Sequence, residues 1–283
     1  MNNTPRKVKL VVISDVHLGT YGCRAKELIS YLKSIEPKTL ILNGDFIDMW
    51  QFSKRYWPKS HMKVLKQILN FASRGTKVYY ITGNHDETLR KFEGLEMGNI
   101  QILNKLELDL DDQKAFFFHG DIFDAIIQYS KWLARIGAIF YDSLILLNAL
   151  INKITKVFRL KNIPMSKKIK NNVKSAVKFI NQYEESVIQF GFNKGYDFVI
   201  CGHIHQPENR VYENSENKTI RYLNSGDWIE NMTALEYNKK KWSIYYYVKD
   251  FAILQNPAEI DEDLLNISEL DNKALFQKML AEI

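Results

Sequence analysis

Histidine is rare in this chain, and its placement is not scattered. Five of the six histidines lie in short polar motifs that each follow an apolar run, and His61 is the exception. The motifs are Asp15-Val16-His17, Gly44-Asp45, Gly83-Asn84-His85-Asp86, His119-Gly120-Asp121 and Gly202-His203-Ile204-His205. Imidazole and carboxylate groups together suit divalent manganese, iron or zinc, which are bound by nitrogen and oxygen ligands. The motifs therefore predict a metal site.

Phosphate ester hydrolysis is the reaction that most needs such a site. When two ions lie about 3.5 to 4 Å apart, one carboxylate can bridge them, a bound water is activated near neutral pH, and phosphoryl charge is neutralised. We therefore predict a hydrolase with two divalent ions, manganese first and iron or zinc as alternatives. Water would attack phosphorus in line, without a covalent enzyme intermediate.

The segments between the motifs indicate how these residues could meet. Apolar runs rich in β-branched and aromatic residues alternate with helical patterns, which is typical of an α/β fold. Loops at the carboxyl ends of strands are where such sheets assemble their sites. Three runs between residues 100 and 118 follow one another closely, with a turn at residues 111–113, and predict a strand meander.

The domain organisation follows from a change in pattern. Residues 122–193 show no strong strand pattern and contain one proline, Pro164, so we predict a helical cap inserted there. The catalytic domain would then be discontinuous, formed by residues 1–121 and 194–256. Residues 257–283 predict a peripheral helix or tail.

Charge is uneven along the chain, which has a formal net charge of +6. Between Asp142 and Glu184 no acidic residue occurs, while lysine and arginine recur from Lys153 to Lys178. A solvated helix face, a surface for anionic lipid headgroups and a nucleic-acid contact all fit this stretch. The chain contains no recognised nucleic-acid module, so we expect no nucleic-acid partner.

Several features predict a cytoplasmic protein. The first six residues are polar and show no secretory signal. Cys23 and Cys201 lie in dissimilar contexts without metal-type spacing, and we expect them to be reduced thiols. The apolar run at residues 136–151 is shorter than the roughly 20 residues that a membrane span requires. Internal packing of a cap and an interfacial helix both fit this run, so peripheral association with the inner membrane stays open.

In type, order and spacing the five motifs resemble those of the calcineurin-like metallophosphoesterase superfamily: D-x-H, G-D, G-N-H-[DE], H and G-H-x-H. The resemblance extends across residues 11–205 and implies a four-layer αββα sandwich. It also implies a ligand set for two ions. One ion would be bound by Asp15, His17 and His205, the other by Asn84, His119 and His203, with Asp45 between them.

The same resemblance implies roles for two residues that bind no metal. His85 would face the substrate, where it could stabilise charge on the phosphate or protonate the leaving oxygen. Asp86 would orient the His85 ring. Asp48 and Asp121 are more often turn or capping residues, and we expect that role for them.

Within the superfamily, one enzyme group is similar in further blocks. These are Gly44 to Trp50, the helical insertion after Asp121, and Gly226-Asp227-Trp228, which resemble the UDP-2,3-diacylglucosamine diphosphatases of lipid A synthesis. That group splits a pyrophosphate to give UMP and a diacylated sugar phosphate, which implies a UDP-linked glycolipid substrate at the cytoplasmic membrane surface. Its best-studied branch has arginine at the position of His85.

Other functions therefore stay open. The same site could act on another nucleotide, a phospholipid, a phosphoprotein or a nucleic acid. A non-catalytic scaffold of the same fold is the alternative of a different class. A scaffold has no need of an intact ligand set, so the metal content of the protein separates that case from the others.

Overall fold

The computed structural model describes residues 4–51, 56–123 and 168–247. Its strands are β1 (Arg6–Ile13), β2 (Ile35–Asn43), β3 (Lys77–Ile81), β4 (Glu96–Met97), β5 (Ile100–Leu103), β6 (Lys105–Leu110), β7 (Gln113–Phe118), β8 (Phe198–Cys201), β9 (Glu208–Glu213), β10 (Thr219–Asn224), β11 (Thr233–Asn238) and β12 (Lys241–Tyr246). Its helices are α1 (Ala25–Lys33), α2 (Lys59–Ser73), α3 (Lys168–Lys194) and a 3-10 helix (Glu87–Phe92).

A seven-stranded sheet has the order β12-β11-β1-β2-β3-β5-β4. Strands β1, β2, β3 and β5 run parallel in its centre. The end of β1 from Leu10 to Ile13 is buried on both faces, which explains its continuous apolar sequence. Because these strands are parallel, the loops after β1, β2 and β3 open at one edge of the sheet.

A five-stranded sheet has the order β6-β7-β8-β10-β9. Strands β7, β8 and β10 are parallel, with Phe117 beside Ile200 and Leu223 beside Ile200 on the other side. The loops after β7, β8 and β10 therefore also open at one edge. The outer strands β6 and β9 pair antiparallel with their neighbours.

Three buried apolar clusters define the layers. Leu28 and Val64 place α1 and α2 against the seven-stranded sheet, Leu10 and Ile200 belong to the core between the two sheets, and Val187 places α3 against the five-stranded sheet. Burying each such side chain stabilises the fold by about 1.5–3 kcal/mol. The order of layers is helix, sheet, sheet, helix, which confirms the predicted αββα sandwich.

The predicted meander between residues 100 and 118 is wrong. Strand β5 joins the seven-stranded sheet beside β3, whereas β6 begins the five-stranded sheet, and Asn104 alone separates them. The periodicity of a short run identifies a strand but not its partner. The turn after β6 is as expected, since Asp111 and Asp112 have positive φ angles of 54° and 71° in the β6–β7 hairpin.

The predicted cap stays a prediction, because residues 124–167 lie outside the described ranges. Residues 168–194 are helical, and the described side chains of Tyr183 and Val187 pack on the five-stranded sheet. The apolar run at 136–151, most of the basic stretch and the tail at 257–283 are likewise outside. Across the ranges that are described, no helix combines the length and apolarity needed to cross a bilayer.

Candidate metal centre

The five motifs meet at the edge where the carboxyl ends of both sheets open. Five of their non-glycine residues have left-handed backbone conformations, namely Asp15 (φ 52°), His17 (51°), Asp45 (51°), His203 (69°) and His205 (54°). A non-glycine residue in a sparsely populated conformation costs on the order of 1–3 kcal/mol and clusters at functional sites. Glycine allows close approach beside them: a Cβ at Gly44 (φ 84°) would collide with the ring of His119.

The first cluster consists of Asp15, His17 and His205, whose candidate ligand atoms all lie within 4.8 Å of one another. The Nε2 atom of His205 lies 3.3 Å from Oδ1 of Asp15. The other oxygen of Asp15 accepts a hydrogen bond from the backbone N–H of His203 at 3.0 Å. The loops after β1 and β8 are thereby joined through one carboxylate.

The second cluster consists of Asp45, His119 and His203, again with ligand atoms within 4.8 Å of one another. Oδ2 of Asp45 lies 3.2 Å from Nε2 of His119 and 3.9 Å from Nε2 of His17 in the first cluster. Nδ1 of His119 donates to the carbonyl of Asn43 at 3.0 Å, which directs the lone pair of Nε2 towards Asp45. Asp45 therefore connects the second cluster to the first.

Several polar atoms of these motifs are buried without a hydrogen bond among the described residues: Oδ1 of Asp15, Nε2 of His17, Oδ1 of Asn84 and Nε2 of His119. Buried polar atoms usually have partners. Ligand atoms that share an ion through bonds of about 2.1 Å lie about 3.0–3.4 Å apart. The carboxylate-to-imidazole distances of 3.3 and 3.2 Å match that spacing, so the residues present fit divalent metal ions.

The electrostatics of the pocket depend on compensation between buried groups. Burial alone would raise the pKa of Asp15, but the facing His205 outweighs it and lowers that pKa to about 2. Burial would lower the pKa of His205, but the Asp15 carboxylate raises it to about 9. The pKa of Asp45 is likewise held well below its usual value by His119 despite burial. Buried carboxylates require positive charge beside them, which protons or metal ions can supply.

The ring of His85 is held by Asp48. Oδ2 of Asp48 lies 2.7 Å from Nδ1 of His85 and 3.1 Å from Nδ1 of His17. An ionised carboxylate only accepts, so both rings carry a hydrogen on Nδ1 and present Nε2 on the opposite side. Nε2 of His85 lies 4.0 Å from Oδ2 of Asp45. Burial opposes the charged form of His85, but the two aspartates raise its pKa overall.

Asp86 has a different role from the one expected. Its Oδ1 accepts the N–H of Gly83 at 2.6 Å, and its Oδ2 accepts the N–H of Phe46 at 3.0 Å and the hydroxyl of Tyr80 at 2.6 Å. These contacts join the loops after β2 and β3 behind the pocket. The prediction that Asp86 orients the ring of His85 therefore does not match the geometry, because its side chain points into the protein.

Two residues contact His85 in a way that the sequence did not predict. Asp48 does act as a turn residue, since its Oδ1 accepts the N–H groups of Trp50 and Gln51 at 3.0 and 2.8 Å. Its Oδ2 also accepts hydrogen bonds from the rings of His85 and His17. The ring of Trp50 lies over that of His85, with centroids 4.2 Å apart. The sequence offered one indication: Asp48 and Trp50 fall within five residues of Asp45, in the same loop.

His61 and Asp121 lie apart from the two clusters. The Nδ1 atom of His61 accepts the backbone N–H of Gly19 at 3.0 Å, so this histidine supports the loop after β1. Asp121 accepts a hydrogen bond from Arg90 at 2.5 Å, which links the loop after β7 to the 3-10 helix. The described contact of Asp121 is an ion pair with Arg90, so its expected role as a turn or capping residue stays a prediction.

A comparison of the sequence with protein-family models gives a match to the calcineurin-like phosphoesterase family over residues 8–207. Curated relatives named UDP-2,3-diacylglucosamine hydrolase are similar over most of the chain. The one from Aliivibrio fischeri (strain MJ11) is 26% identical, with 83% of this chain and 97% of the relative aligned. The one from Blochmanniella pennsylvanica (strain BPEN) is 24% identical, with 84% and 96% aligned.

Solved structures with a similar arrangement include an archaeal phosphodiesterase, 16% identical, with a TM-score of 0.40 and 84% of this chain and 98% of the other aligned. Vps29 from Entamoeba histolytica is 14% identical, with a TM-score of 0.38 and coverage of 84% and 90%.

Proposed function

The chain belongs to the calcineurin-like phosphoesterase family and is a metal-dependent hydrolase, and within that class we propose that it uses two metal ions to hydrolyse the phosphoanhydride of a UDP-linked diacylated glucosamine. The products would be UMP and diacylglucosamine 1-phosphate. The observation that carries the two-metal part is that ligand-type side chains converge in two clusters, with Asp45 of the second cluster facing the first. Oδ1 of Asp15, Nε2 of His17 and Nε2 of His119 are buried there without a hydrogen bond among the described residues.

The proposed ligands divide between two positions. The first cluster, Asp15, His17 and His205, would hold one ion, and His119, His203 and Asn84 would hold the other. Asp45 would bridge them, which its Oδ2 atom supports because it lies 3.9 Å and 3.2 Å from a nitrogen in each set. Two ions, with manganese as our choice, would lower the pKa of a bound water and neutralise charge on the phosphoryl group.

His85 is the proposed acid at the substrate. Asp48 holds its Nδ1 at 2.7 Å, which leaves Nε2 as the atom that can reach a bound phosphoryl group. A charged imidazole there would stabilise negative charge in the transition state or pass its Nε2 proton to the leaving oxygen. The ring of Trp50, tilted by 32° against that of His85 at a centroid distance of 4.2 Å, would restrict the rotation of His85 and hold that direction.

The substrate assignment is supported by the named relatives, which align over nearly their whole length at 24–26% identity. An acylated substrate resides at a membrane, so we further propose that the protein works at the cytoplasmic membrane surface. Other phosphoesters are the alternative outcomes of the experiment that follows.

The test is hydrolysis by the manganese-loaded full chain of a substrate panel: a UDP-diacylglucosamine, a cyclic nucleotide, p-nitrophenyl phosphate and single-stranded DNA. We expect the UDP-diacylglucosamine to be cleaved with the highest kcat/KM and to release UMP. His85→Asn is the matched variant, and it should retain both ions but lose about 100-fold or more in kcat. Preference for another phosphoester would overturn the substrate, and binding of fewer than two ions per chain would overturn the dinuclear site.

A further inference from the structure

A turn that bears no proposed metal ligand lies directly behind the first cluster. It spans residues 225–231, between β10 and β11, and we call it the brace. Within it Trp228 is fully buried and its ring stacks with that of Tyr31 at 5.5 Å. The N–H of Trp228 donates to the carbonyl of Asp15 at 3.1 Å. The brace is therefore anchored in the core and contacts the backbone of a proposed ligand.

Asp227 gives the brace its shape. Its side chain is fully buried, and Oδ1 accepts the backbone N–H groups of Ile229, Glu230 and Asn231 at 2.7, 2.5 and 3.2 Å. A carboxylate that accepts several backbone hydrogen bonds holds its turn firmly. The second oxygen of Asp227 is left to bind a side chain.

Asn231 uses that oxygen to reach the loop after β8. Its Nδ2 donates to Oδ2 of Asp227 at 2.6 Å and to the carbonyl of His205 at 2.8 Å. His205 has a φ of 54°, a conformation that persists in a non-glycine residue when its surroundings hold it in place. The amide of Asn231 thus connects a rigid buried carboxylate to the backbone of His205.

We propose that Asn231 is a positioning residue that sets the occupancy of one metal position by fixing the backbone of His205. The inference rests on the proposed two-metal site. With the carbonyl of His205 held, its imidazole stays 3.3 Å from Oδ1 of Asp15, and the first ion finds its ligands already in place. Without Asn231 the His205 backbone can relax, and binding of that ion then includes the cost of restoring it.

The other metal position is held by different contacts. His119 is fixed by the carbonyl of Asn43 at 3.0 Å, and Asp45 accepts the N–H of His85 at 2.8 Å. Neither contact involves the brace. Loss of the Asn231 amide should therefore weaken the binding of the ion in the first cluster and leave the binding of the other ion unchanged.

The variant Asn231→Leu removes both donated hydrogen bonds and keeps the branching and the number of heavy atoms of the side chain. Asn231→Asp keeps the shape but replaces the donor with an acceptor that faces Asp227. The matched control is Asn99→Leu, since Nδ2 of Asn99 also donates to a backbone carbonyl, that of Ala72 at 2.9 Å, at the opposite end of the seven-stranded sheet.

The measurement is titration of the full-length apo chains with Mn²⁺ alone, followed by electron paramagnetic resonance. The spectrum of a spin-coupled pair differs from that of an isolated ion, so it counts filled positions without reference to catalysis. In Asn231→Leu we expect one of the two dissociation constants for Mn²⁺ to increase by about 10- to 100-fold. At Mn²⁺ concentrations that fill both positions of the wild type, the variant should show no coupled spectrum and should retain one bound ion. Asn231→Asp should lose at least as much.

Two results would overturn the proposal. The first is that Asn231→Leu binds both ions with wild-type affinity. The second is that its affinity for both ions falls equally while it unfolds at the same temperature as Asn99→Leu. A wild type that never binds a second ion would instead refute the two-metal site itself. The failure of the inference and that of the proposed function are therefore distinguishable.

Discussion

The two sheets supply different chemistry to the pocket where they meet. The seven-stranded sheet carries both proposed carboxylate ligands, Asp15 and Asp45, which are 0% and 2% exposed. The five-stranded sheet supplies only imidazoles, from His119, His203 and His205. Buried carboxylates need a cation, whereas a neutral imidazole does not. One sheet therefore contributes the buried negative charge that requires a cation, while the other would supply the remaining nitrogen ligands of the proposed site.

The most severe test of this contrast removes a charge from the first sheet. Asp45→Asn should lose both ions and reduce kcat/KM by more than about 1,000-fold, because each ion contributes several kcal/mol of charge stabilisation. The variant retains an oxygen that can accept the N–H of His85, as Oδ1 of Asp45 does at 2.8 Å, so the loop should fold. Metal content after equilibration with Mn²⁺ measures the effect directly.

The comparison variant changes the second sheet. His119→Gln removes a neutral ligand from one ion only, so it should retain one ion per chain at Mn²⁺ concentrations that leave Asp45→Asn empty. Equal metal loss in the two variants would contradict the different roles proposed for the two sheets.

A smaller effect is expected where the first sheet positions its histidines. In Asp48→Asn, Oδ1 can still accept the N–H groups of Trp50 and Gln51, which places an NH₂ group against the Nδ1 atoms of His85 and His17. Both rings would then carry the hydrogen on the wrong nitrogen. We expect kcat to fall by about 100-fold, measured by steady-state kinetics at saturating Mn²⁺.

Asp86→Asn is the control for that experiment, because Asp86 makes its hydrogen bonds to Gly83, Phe46 and Tyr80 and none to the His85 ring among the described contacts. It should lower the unfolding temperature while reducing kcat less than Asp48→Asn does. A larger kcat loss in Asp86→Asn would restore the role first expected of Asp86.

The smallest effect concerns stability rather than catalysis. His61 is buried, and burial lowers its pKa from 6.5 to about 4. Its Nδ1 accepts the N–H of Gly19, so His61→Leu leaves that donor without its acceptor and should cost about 1–3 kcal/mol at pH 7.5. Denaturant unfolding of both proteins in the presence of a chelator measures the difference.

The pH dependence of that difference has a definite sign. As pH falls below 6.5, the unfolded chain takes up a proton on His61 before the folded chain does. The wild type therefore loses stability at up to about 1.4 kcal/mol per pH unit until about pH 4. His61→Leu lacks this loss, so the gap between the two proteins should narrow on acidification. A gap that stayed constant between pH 7.5 and 5 would contradict the neutral, buried state of His61.

Local sequence was sufficient to predict most elements and the pocket-forming motifs. The apolar run before Gly83, for example, forms β3 at Lys77–Ile81, since a parallel strand in the centre of a sheet is mostly apolar. The motif residues could be anticipated because each follows such a strand. Their roles as ligands stay a prediction, which the distances between Asp15 and His205 and between Asp45 and His119 support.

Contacts between segments far apart in the chain could not be predicted in this way. The residue types, their order and their positions after strands could be read from the chain alone, since these depend on neighbours within a few positions. Three features became visible only in the folded chain: β5 and β6 belong to different sheets, Asp48 rather than Asp86 contacts the ring of His85, and Asn231 contacts the backbone of His205. These contacts depend on how segments far apart in the chain pack against one another, and the spacing of residues along the chain does not indicate which segments will meet.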